Sequence, residues 1–135
     1  MIEGWITQLR KGVVEYGVLV VLSRGESYGY EIVQALKASK ELAAGESTVY
    51  PILARLREDG CLSCREAKGN GGPPRRYFML TDKGRLRLAE MEAYWPMLAR
   101  GIQRLREAAA AQRAPEKGTD PFYIGREVDE RSFWG

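Results

Sequence analysis

The residues of this chain that could carry out chemistry are limited, because its 135 residues include no histidine. Ser-His and Cys-His nucleophile pairs and most catalytic zinc sites are therefore excluded. Cys61 and Cys64 form a single C-x2-C pair, and no second pair completes four metal ligands. We expect no enzymatic activity, no metal and no cofactor. The two thiols are interpreted as small strand residues of a reduced protein, with redox sensing as the alternative.

Cationic side chains form the second chemically capable group. Residues 65–76 contain four basic groups and one acid, and the segment GNGGPP lies between them. Lysines and arginines that neutralise phosphates supply much of the non-specific affinity of proteins for nucleic acid. Lys68, Arg75 and Arg76 are therefore candidate phosphate ligands. GNGG is not interpreted as a nucleotide-binding loop, because no lysine-serine pair follows it.

The composition indicates a single globular domain that can hold these residues in place. Hydrophobic residues make up 44% of the chain, charged residues make up 29%, and the formal net charge is +3. These values are typical of a soluble domain with a buried core. The longest apolar run, Gly17 to Leu22, is far too short to span a bilayer. No secretory signal is visible, so no membrane contact and a cytoplasmic location are expected.

Hydrophobic periodicity predicts a first helix over residues 2–23 and a second helix that is capped by Ser27. One apolar stripe of the first helix contains Trp5, Leu9, Val13, Tyr16 and Val20. The run YGVLVVL near the end of this helix is apolar all round, so that end should be buried. The core-facing row of the second helix contains Gly29, Ile32, Val33 and Leu36.

A third predicted helix begins near Glu46 and ends at Asp59-Gly60, where glycine favours a left-handed cap. Its buried row contains Val49, Ile52, Leu53 and Leu56. Two strands, CLSCREAK and RRYFMLT, follow and are joined by GNGGPP at a hairpin tip. Three helices followed by a hairpin indicate a winged helix-turn-helix, a mainly α fold with a small β-hairpin wing. In that fold the third helix enters the DNA major groove.

The face of the third helix opposite its buried row is the candidate DNA-reading surface. Near the start of the helix this face carries Ser47, Pro51 and the flanking Thr48, which are small or hydroxylated and allow close approach to bases and phosphates. Arg55 can reach a phosphate or a guanine from this face. Pro51 either sits against DNA or is merely tolerated at an outward position in the second turn.

A long final helix, capped by Thr81-Asp82, carries apolar residues at alternating spacings of three and four. This pattern is typical of a coiled-coil seam, so we expect the helix to join two subunits. The alternative is an ordinary core helix that packs within one subunit. Pro96 should bend the helix without ending it. The expected dimerisation residues are Leu88, Met91, Trp95, Leu98, Ile102 and Leu105.

The chain therefore divides into three predicted parts. Residues 1–80 form a winged helix-turn-helix DNA-binding domain that includes the N-terminal helix, and residues 81–113 form a long C-terminal dimerisation helix. Residues 114–135 form an acidic, aromatic tail that is either docked on the dimer or disordered. Docking is favoured, and its anchors would be Phe122, Tyr123, Phe133 and Trp134.

Two motifs resemble the PadR family of transcriptional regulators. They are T-x-Y-P-x-L-x-R-L-x-x-D-G at residues 48–60 and P-R-R-Y-x-x-L-T-x-x-G at residues 74–84, within a resemblance that covers about residues 13–110. The resemblance implies a homodimeric repressor of a palindromic double-stranded DNA operator, in which the N-terminal helix packs on the partner. The DNA contacts that it implies are Ser47, Thr48, Tyr50, Arg55, Arg75 and Arg76. Tyr28 and Glu46 depart from the family pattern, which often has histidine and proline there.

Trp95 is the candidate residue for effector binding. In multidrug-binding members of this family, a tryptophan at the matching place lines a flat pore between subunits, where planar aromatic ligands stack. The alternative is that Trp95 simply fills the interface. A small aromatic effector would be surrounded by Trp5, Leu9, Met91, Tyr94, Trp95 and Leu98. By changing the angle between two winged domains, it would spoil their match to half-sites about 34–36 Å apart and release the DNA.

A second class of function stays open beside DNA binding. Glu58, Asp59 and Glu66 lie near the basic surface, and the net charge is low. Both features are compatible with a winged-helix module that binds another protein and no specific DNA sequence. Steep weakening of DNA binding as the salt concentration rises would distinguish a DNA-binding protein from such a module.

Overall fold

A computed structural model of the chain describes residues 2–68 and 71–113. The predicted tail at residues 114–135, with its anchors Phe122, Tyr123, Phe133 and Trp134, lies outside the described residues. The helices of the described chain are α1 (Ile2–Leu22), α2 (Gly29–Lys37), a short 3-10 helix (Lys40–Leu42), α3 (Glu46–Glu58) and α4 (Asp82–Arg113). The strands are β1 (Ser27–Tyr28), β2 (Leu62–Lys68) and β3 (Pro74–Leu80). The prediction of a mainly helical winged helix-turn-helix is confirmed.

The buried rows predicted for α2 and α3 form the centre of the core. Gly29, Ile32, Val33 and Leu36 of α2 are all buried. Val49, Ile52, Leu53 and Leu56 of α3 are buried as well. They pack in one cluster with apolar residues of α1 and of the sheet, among them Val18, Leu22, Phe78 and Leu80. Helical periodicity thus predicted the packed faces of both helices correctly.

Two apolar faces run along α1, and they have different surroundings. The end of the helix is buried through Val14, Val18 and Leu22, so the prediction for the YGVLVVL run is confirmed except at Val20. Most of the predicted stripe lies outside this core, since Trp5, Leu9 and Val20 are exposed. Among the described residues, Trp5, Leu9 and Val20 therefore form an exposed apolar surface, whereas Tyr16 of the same stripe packs against the core.

The sheet contains a strand that the sequence did not predict. β1 pairs antiparallel with β3, in the register Ser27 with Phe78 and Tyr28 with Tyr77, and the strand order is β1-β3-β2. The predicted N-cap role of Ser27 is wrong, because Ser27 is buried in this strand and α2 begins only after Tyr28. The backbone N–H of Tyr28 donates instead to the Glu31 carboxylate, at 3.1 Å.

Hydrogen bonds and a close backbone contact join the start of α4 to the segment that follows α3. Gly60 adopts φ +80°, which is the predicted left-handed conformation after the helix. Thr81 caps α4 as predicted, because its Oγ1 accepts the N–H of Gly84 at 3.1 Å and donates to the Gly60 carbonyl at 2.6 Å. Gly84 lies so close to Cys61 that a Cβ atom there would stand 2.1 Å from the Cys61 carbonyl oxygen.

The long helix α4 belongs to two compact units of the chain. One unit comprises Met1–Glu92 and the other begins at Ala93, whereas the sequence predicted a boundary after residue 80. The first turns of α4 join the first unit because Leu88 is buried in its core and Met91 packs against that core. The helix runs through Pro96 without ending, as predicted.

Candidate nucleic-acid interface

The outer face of α3 is exposed where the sequence predicted DNA contacts. Ser47, Thr48 and Pro51 are all exposed, and α3 continues from Pro51 to Glu58. Near a helix start a proline removes few backbone hydrogen bonds, because several amide groups there lack partners in any case. The first turns of α3 therefore present a face of small side chains. Nothing in the described part of the first unit, Met1–Glu92, which we call the winged unit, covers this face.

Tyr50 lies at the side of this face and is partly engaged within the chain. Its ring packs over the start of α2, so closely that a Cβ atom on Gly29 would lie 2.3 Å from the Tyr50 Cε1 atom. Burial raises the pKa of the Tyr50 phenol, and the nearby charge of Glu46 raises it further. Tyr50 remains 42% exposed. It can thus hold α3 on α2 and still present one edge outward.

Arg55 is paired within the chain rather than facing solvent alone. Its guanidinium donates to the carboxylate of Glu15 on α1, whose side chain is only 16% exposed. Arg87 of α4 lies 4.0 Å from the same carboxylate and donates to Asp59 at 3.2 Å. The hydrogen bond with Asp59 raises the pKa of Arg87. These four side chains form an ionic network between α1, α3 and α4, so the charge of Arg55 is largely compensated.

The two predicted wing arginines differ in their surroundings. Arg76 lies 3.8 Å from Glu66 on the neighbouring strand, in an exposed pair of the kind that contributes little to stability. Arg75 places its guanidinium carbon 4.5 Å from the centre of the Tyr28 ring. Among the described residues, no carboxylate forms an ion pair with Arg75 or Lys68. These two cations are therefore available to an anionic partner.

Arg65 was not singled out from the sequence, although it lies beside the wing cations. Its Nε and an Nη atom donate to the two carboxylate oxygens of Glu26, at 2.6 and 2.7 Å. This hydrogen bonding lowers the pKa of Glu26 and raises the pKa of Arg65. Because the two residues are 39 positions apart, no local sequence pattern could have predicted the pair.

A groove of about 470 Å³ separates α3 from the wing. Its lining includes Tyr50, Ala54, Arg57, Arg76 and Phe78. Arg57 was not a sequence candidate, yet it lies on the same groove as the wing cation Arg76. Lys68, at the end of β2, is exposed but does not line this groove.

The predicted dimerisation and effector residues occupy several surfaces. Leu88 is buried within the first unit and Met91 is half-buried, so Leu88 offers little surface to a partner. In the second unit the seam residues Trp95, Leu98, Ile102 and Leu105 are exposed. Tyr94, Leu98, Ile102 and Leu105 line a shallow groove of about 470 Å³ there. Trp5 and Leu9 lie one turn apart on the exposed stripe of α1.

The described chain shows no other candidate chemistry. Both Cys61 and Cys64 are unbridged, and Cys61 is fully buried. Within residues 2–68 and 71–113, no three histidine, cysteine, aspartate or glutamate side chains are grouped as metal ligands would be. No helix of that part of the chain is both long enough and apolar enough to cross a membrane.

Comparison with known proteins identifies related sequences and folds. Residues 18–90 match the sequence profile of the transcriptional regulator PadR-like family. A PadR-like transcription factor from Bacteroides fragilis is 38% identical, with a TM-score of 0.65 over 73% of this chain and 95% of its own. A PadR family regulator from Eggerthella lenta is 33% identical, with a TM-score of 0.66 over 77% and 90% of the two chains.

A curated relative, the transcriptional regulator YqjI of Escherichia coli, is longer than this chain. It is 28% identical over 110 residues, which cover 78% of this chain and 50% of the relative. The chain therefore spans about half the length of this curated relative. The family match at residues 18–90 includes α3 and the wing cations.

Proposed function

Because the chain belongs to the PadR-like family of transcriptional regulators, we propose that it binds a palindromic double-stranded DNA operator as a homodimer and represses transcription in the cytoplasm. The family is one of regulators and not of enzymes. The observation that carries the proposal is the combination, in one winged unit, of an exposed small-residue face on α3 and of wing cations without carboxylate partners in the described chain.

The residues of α3 and the wing would divide the work of DNA binding. Ser47, Thr48 and Pro51 would approach base edges in the major groove, with Tyr50 at their side. Lys68, Arg75 and Arg76 would bind phosphates. The Glu15 carboxylate already compensates the charge of Arg55, so we assign Arg55 a weaker contribution than its position on α3 alone would indicate.

The exposed seam of α4 supports dimerisation. In one chain Leu98 is 45%, Ile102 is 55% and Leu105 is 68% exposed. Leaving such side chains in water is unfavourable by about 25 cal/mol for each Å² of apolar surface. A second copy of α4 would cover them and would place two α3 helices on successive major grooves, about 34–36 Å apart. The exposed stripe of α1, with Trp5 and Leu9, would be a second contact with the partner.

A small planar aromatic effector would act at this interface. The residues that would contact the effector have exposed apolar or aromatic surface in one chain, apart from Met91, which is half-buried. The exposed residues are Trp5, Leu9, Tyr94, Trp95 and Leu98. Aromatic stacking contributes about 0.5–1.5 kcal/mol beyond burial. An effector that prefers one angle between the winged units would lower the affinity of the dimer for its operator.

DNA binding can be tested by fluorescence anisotropy with promoter DNA at several salt concentrations. We expect the affinity to fall steeply as the salt concentration rises. Replacing both wing arginines, Arg75→Ala with Arg76→Ala, should weaken binding to all sequences and reduce the slope of log K against log salt by about 0.9 for each phosphate that is no longer neutralised. A folded protein that retains no DNA at low salt would contradict the proposal and favour the alternative, a winged-helix module that binds another protein.

A further inference from the structure

The outer face of the small sheet carries a row of aromatic and cationic side chains. Side chains alternate between the two faces of a strand, so Arg75 and Tyr77 share one face of β3 while the buried Phe78 faces the core. Tyr77 lies directly opposite Tyr28 of β1 on one side and Arg65 of β2 on the other. Arg75, two residues before Tyr77, is therefore placed diagonally across from Tyr28.

The ring of Tyr28 lies against one ring of this row, that of Tyr77, and against the ring of Tyr30 on α2. Its centre lies 5.5 Å from that of Tyr77 in an edge-to-face arrangement and 6.4 Å from that of Tyr30 in a stacked one. The Arg75 guanidinium covers the Tyr28 ring at 4.5 Å, within the range of a cation–π contact. Because Tyr28 is anchored by β1 and by its two ring contacts, it offers Arg75 a fixed surface near the tip of the wing.

A second arginine in the same row shows what distinguishes Arg75. Arg65 also covers a tyrosine ring, that of Tyr77, at 4.8 Å. Both carboxylate oxygens of Glu26 accept hydrogen bonds from Arg65, so its charge is compensated inside the chain. Arg75 likewise lies over a tyrosine ring, but among the described residues it forms no ion pair with a carboxylate. Tyr28 therefore restrains the position of Arg75 and leaves its positive charge to be neutralised from outside.

We propose that Tyr28 is a positioning residue for DNA binding, which holds the Arg75 guanidinium in place for a phosphate of the operator without touching the DNA itself. This inference rests on the proposed function. A mobile arginine must lose side-chain freedom when it binds a phosphate, which lowers affinity by about two- to tenfold for one such side chain. The Tyr28 ring removes that loss because Arg75 is already ordered before DNA arrives.

Replacing the ring tests this role. Tyr28→Leu should lower the affinity for operator DNA by about two- to tenfold at every salt concentration. The slope of log K against log salt should stay as in the wild type, because the charge of Arg75 is still present. Tyr28→Phe retains the ring face and should bind as the wild type does. Arg75→Ala, by contrast, should lower both the affinity and the slope, the latter by about 0.9.

A double-mutant cycle separates positioning from a general effect on folding. In the Arg75→Ala background, Tyr28→Leu should cause no further loss of affinity, because no guanidinium remains to be positioned. The matched control, Arg65→Gln with Glu26→Gln, removes the compensated pair of the same row and should leave affinity and slope unchanged. Equal losses from Tyr28→Leu with and without Arg75 would overturn the inference while leaving DNA binding intact. If the wild-type protein did not bind DNA at all, the proposed function itself would be refuted.

Discussion

Substitution of Gly84 by alanine should destabilise the winged unit, although alanine is the better helix former. Gly84 lies in the first turn of α4, and a Cβ atom there would be 2.1 Å from the Cys61 carbonyl oxygen and 3.2 Å from Leu80 Cδ2. Ordinary contact between heavy atoms needs about 3.5 Å, so the two backbones would have to separate by more than about 1 Å. The same Cys61 carbonyl accepts the Thr81 N–H at 3.0 Å, so this separation would also strain the cap of α4.

The expected magnitude follows from two destabilising contributions and one stabilising contribution. Overpacking typically costs about 1–3 kcal/mol, and one weakened hydrogen bond about 0.5–1.5 kcal/mol. The higher helix propensity of alanine returns at most about 1 kcal/mol. Together these contributions predict that Gly84→Ala lowers the free energy of unfolding by about 0.5–3.5 kcal/mol.

Urea unfolding followed by circular dichroism, at one fixed protein concentration, measures this change. Gly12→Ala is the matched control, because Gly12 also lies within a helix and a Cβ atom there would meet nothing within 4 Å. It should stabilise the protein by about 0.5–1 kcal/mol. If Gly84→Ala proved as stable as the wild type or more so, the close approach between α4 and Cys61 would be refuted.

Three further predictions concern the dimer interface, the effector site and the dependence of stability on pH in acid. Leu98→Glu should yield monomers in sedimentation velocity, because dimerisation would bury a charge; a persistent dimer would exclude the seam of α4 as the interface. Trp95→Phe should weaken the fluorescence quenching produced by planar aromatic compounds and leave the part that arises at Trp5, and unchanged quenching would place their site away from Trp95. The hydrogen bond with Arg65 lowers the pKa of Glu26 in the folded chain, so the stability it contributes is present above the ordinary glutamate pKa and is lost as the pH falls through the lowered value. In the Glu26→Gln variant, the free energy of unfolding should therefore fall less steeply as the pH is lowered. The same fall in the variant and the wild type would contradict this contribution.

The helices and their packed faces could be predicted because they depend on local spacing. Ile32 and Leu36 of α2 recur at helical intervals, and so do Ile52 and Leu56 of α3, and all four are buried. The hairpin and the Thr81 cap likewise follow from neighbouring residues. The assignment of Ser27 as a helix cap was wrong because it depends on a contact that is distant in the sequence. A serine before a helix is a common cap, but pairing with Phe78 draws Ser27 into a strand, and no nearby residue signals this.

The chemical surroundings of the candidate DNA contacts could not be predicted in the same way. Arg55 and Glu15 are 40 residues apart, and only the packing of α3 on α1 brings them together. Tyr50 meets Gly29 because α2 and α3 cross closely. In the sequence Arg75 and Arg76 are adjacent and chemically identical. They differ in the structure because alternate faces of β3 give one of them a tyrosine ring and the other a glutamate.

The sequence by itself determined the order of the four α-helices and the hairpin, the buried rows of α2 and α3, and the motifs that carry the family resemblance. Each of these depends on residues that are near one another in the sequence, whereas the pairing of β1 with β3 does not. The tertiary structure alone decided which charges are compensated and which remain available. Ion pairs and cation–π contacts depend on distances of a few ångströms between side chains. For Arg55, Arg65 and Arg75, those distances are set by elements that meet only when the chain folds.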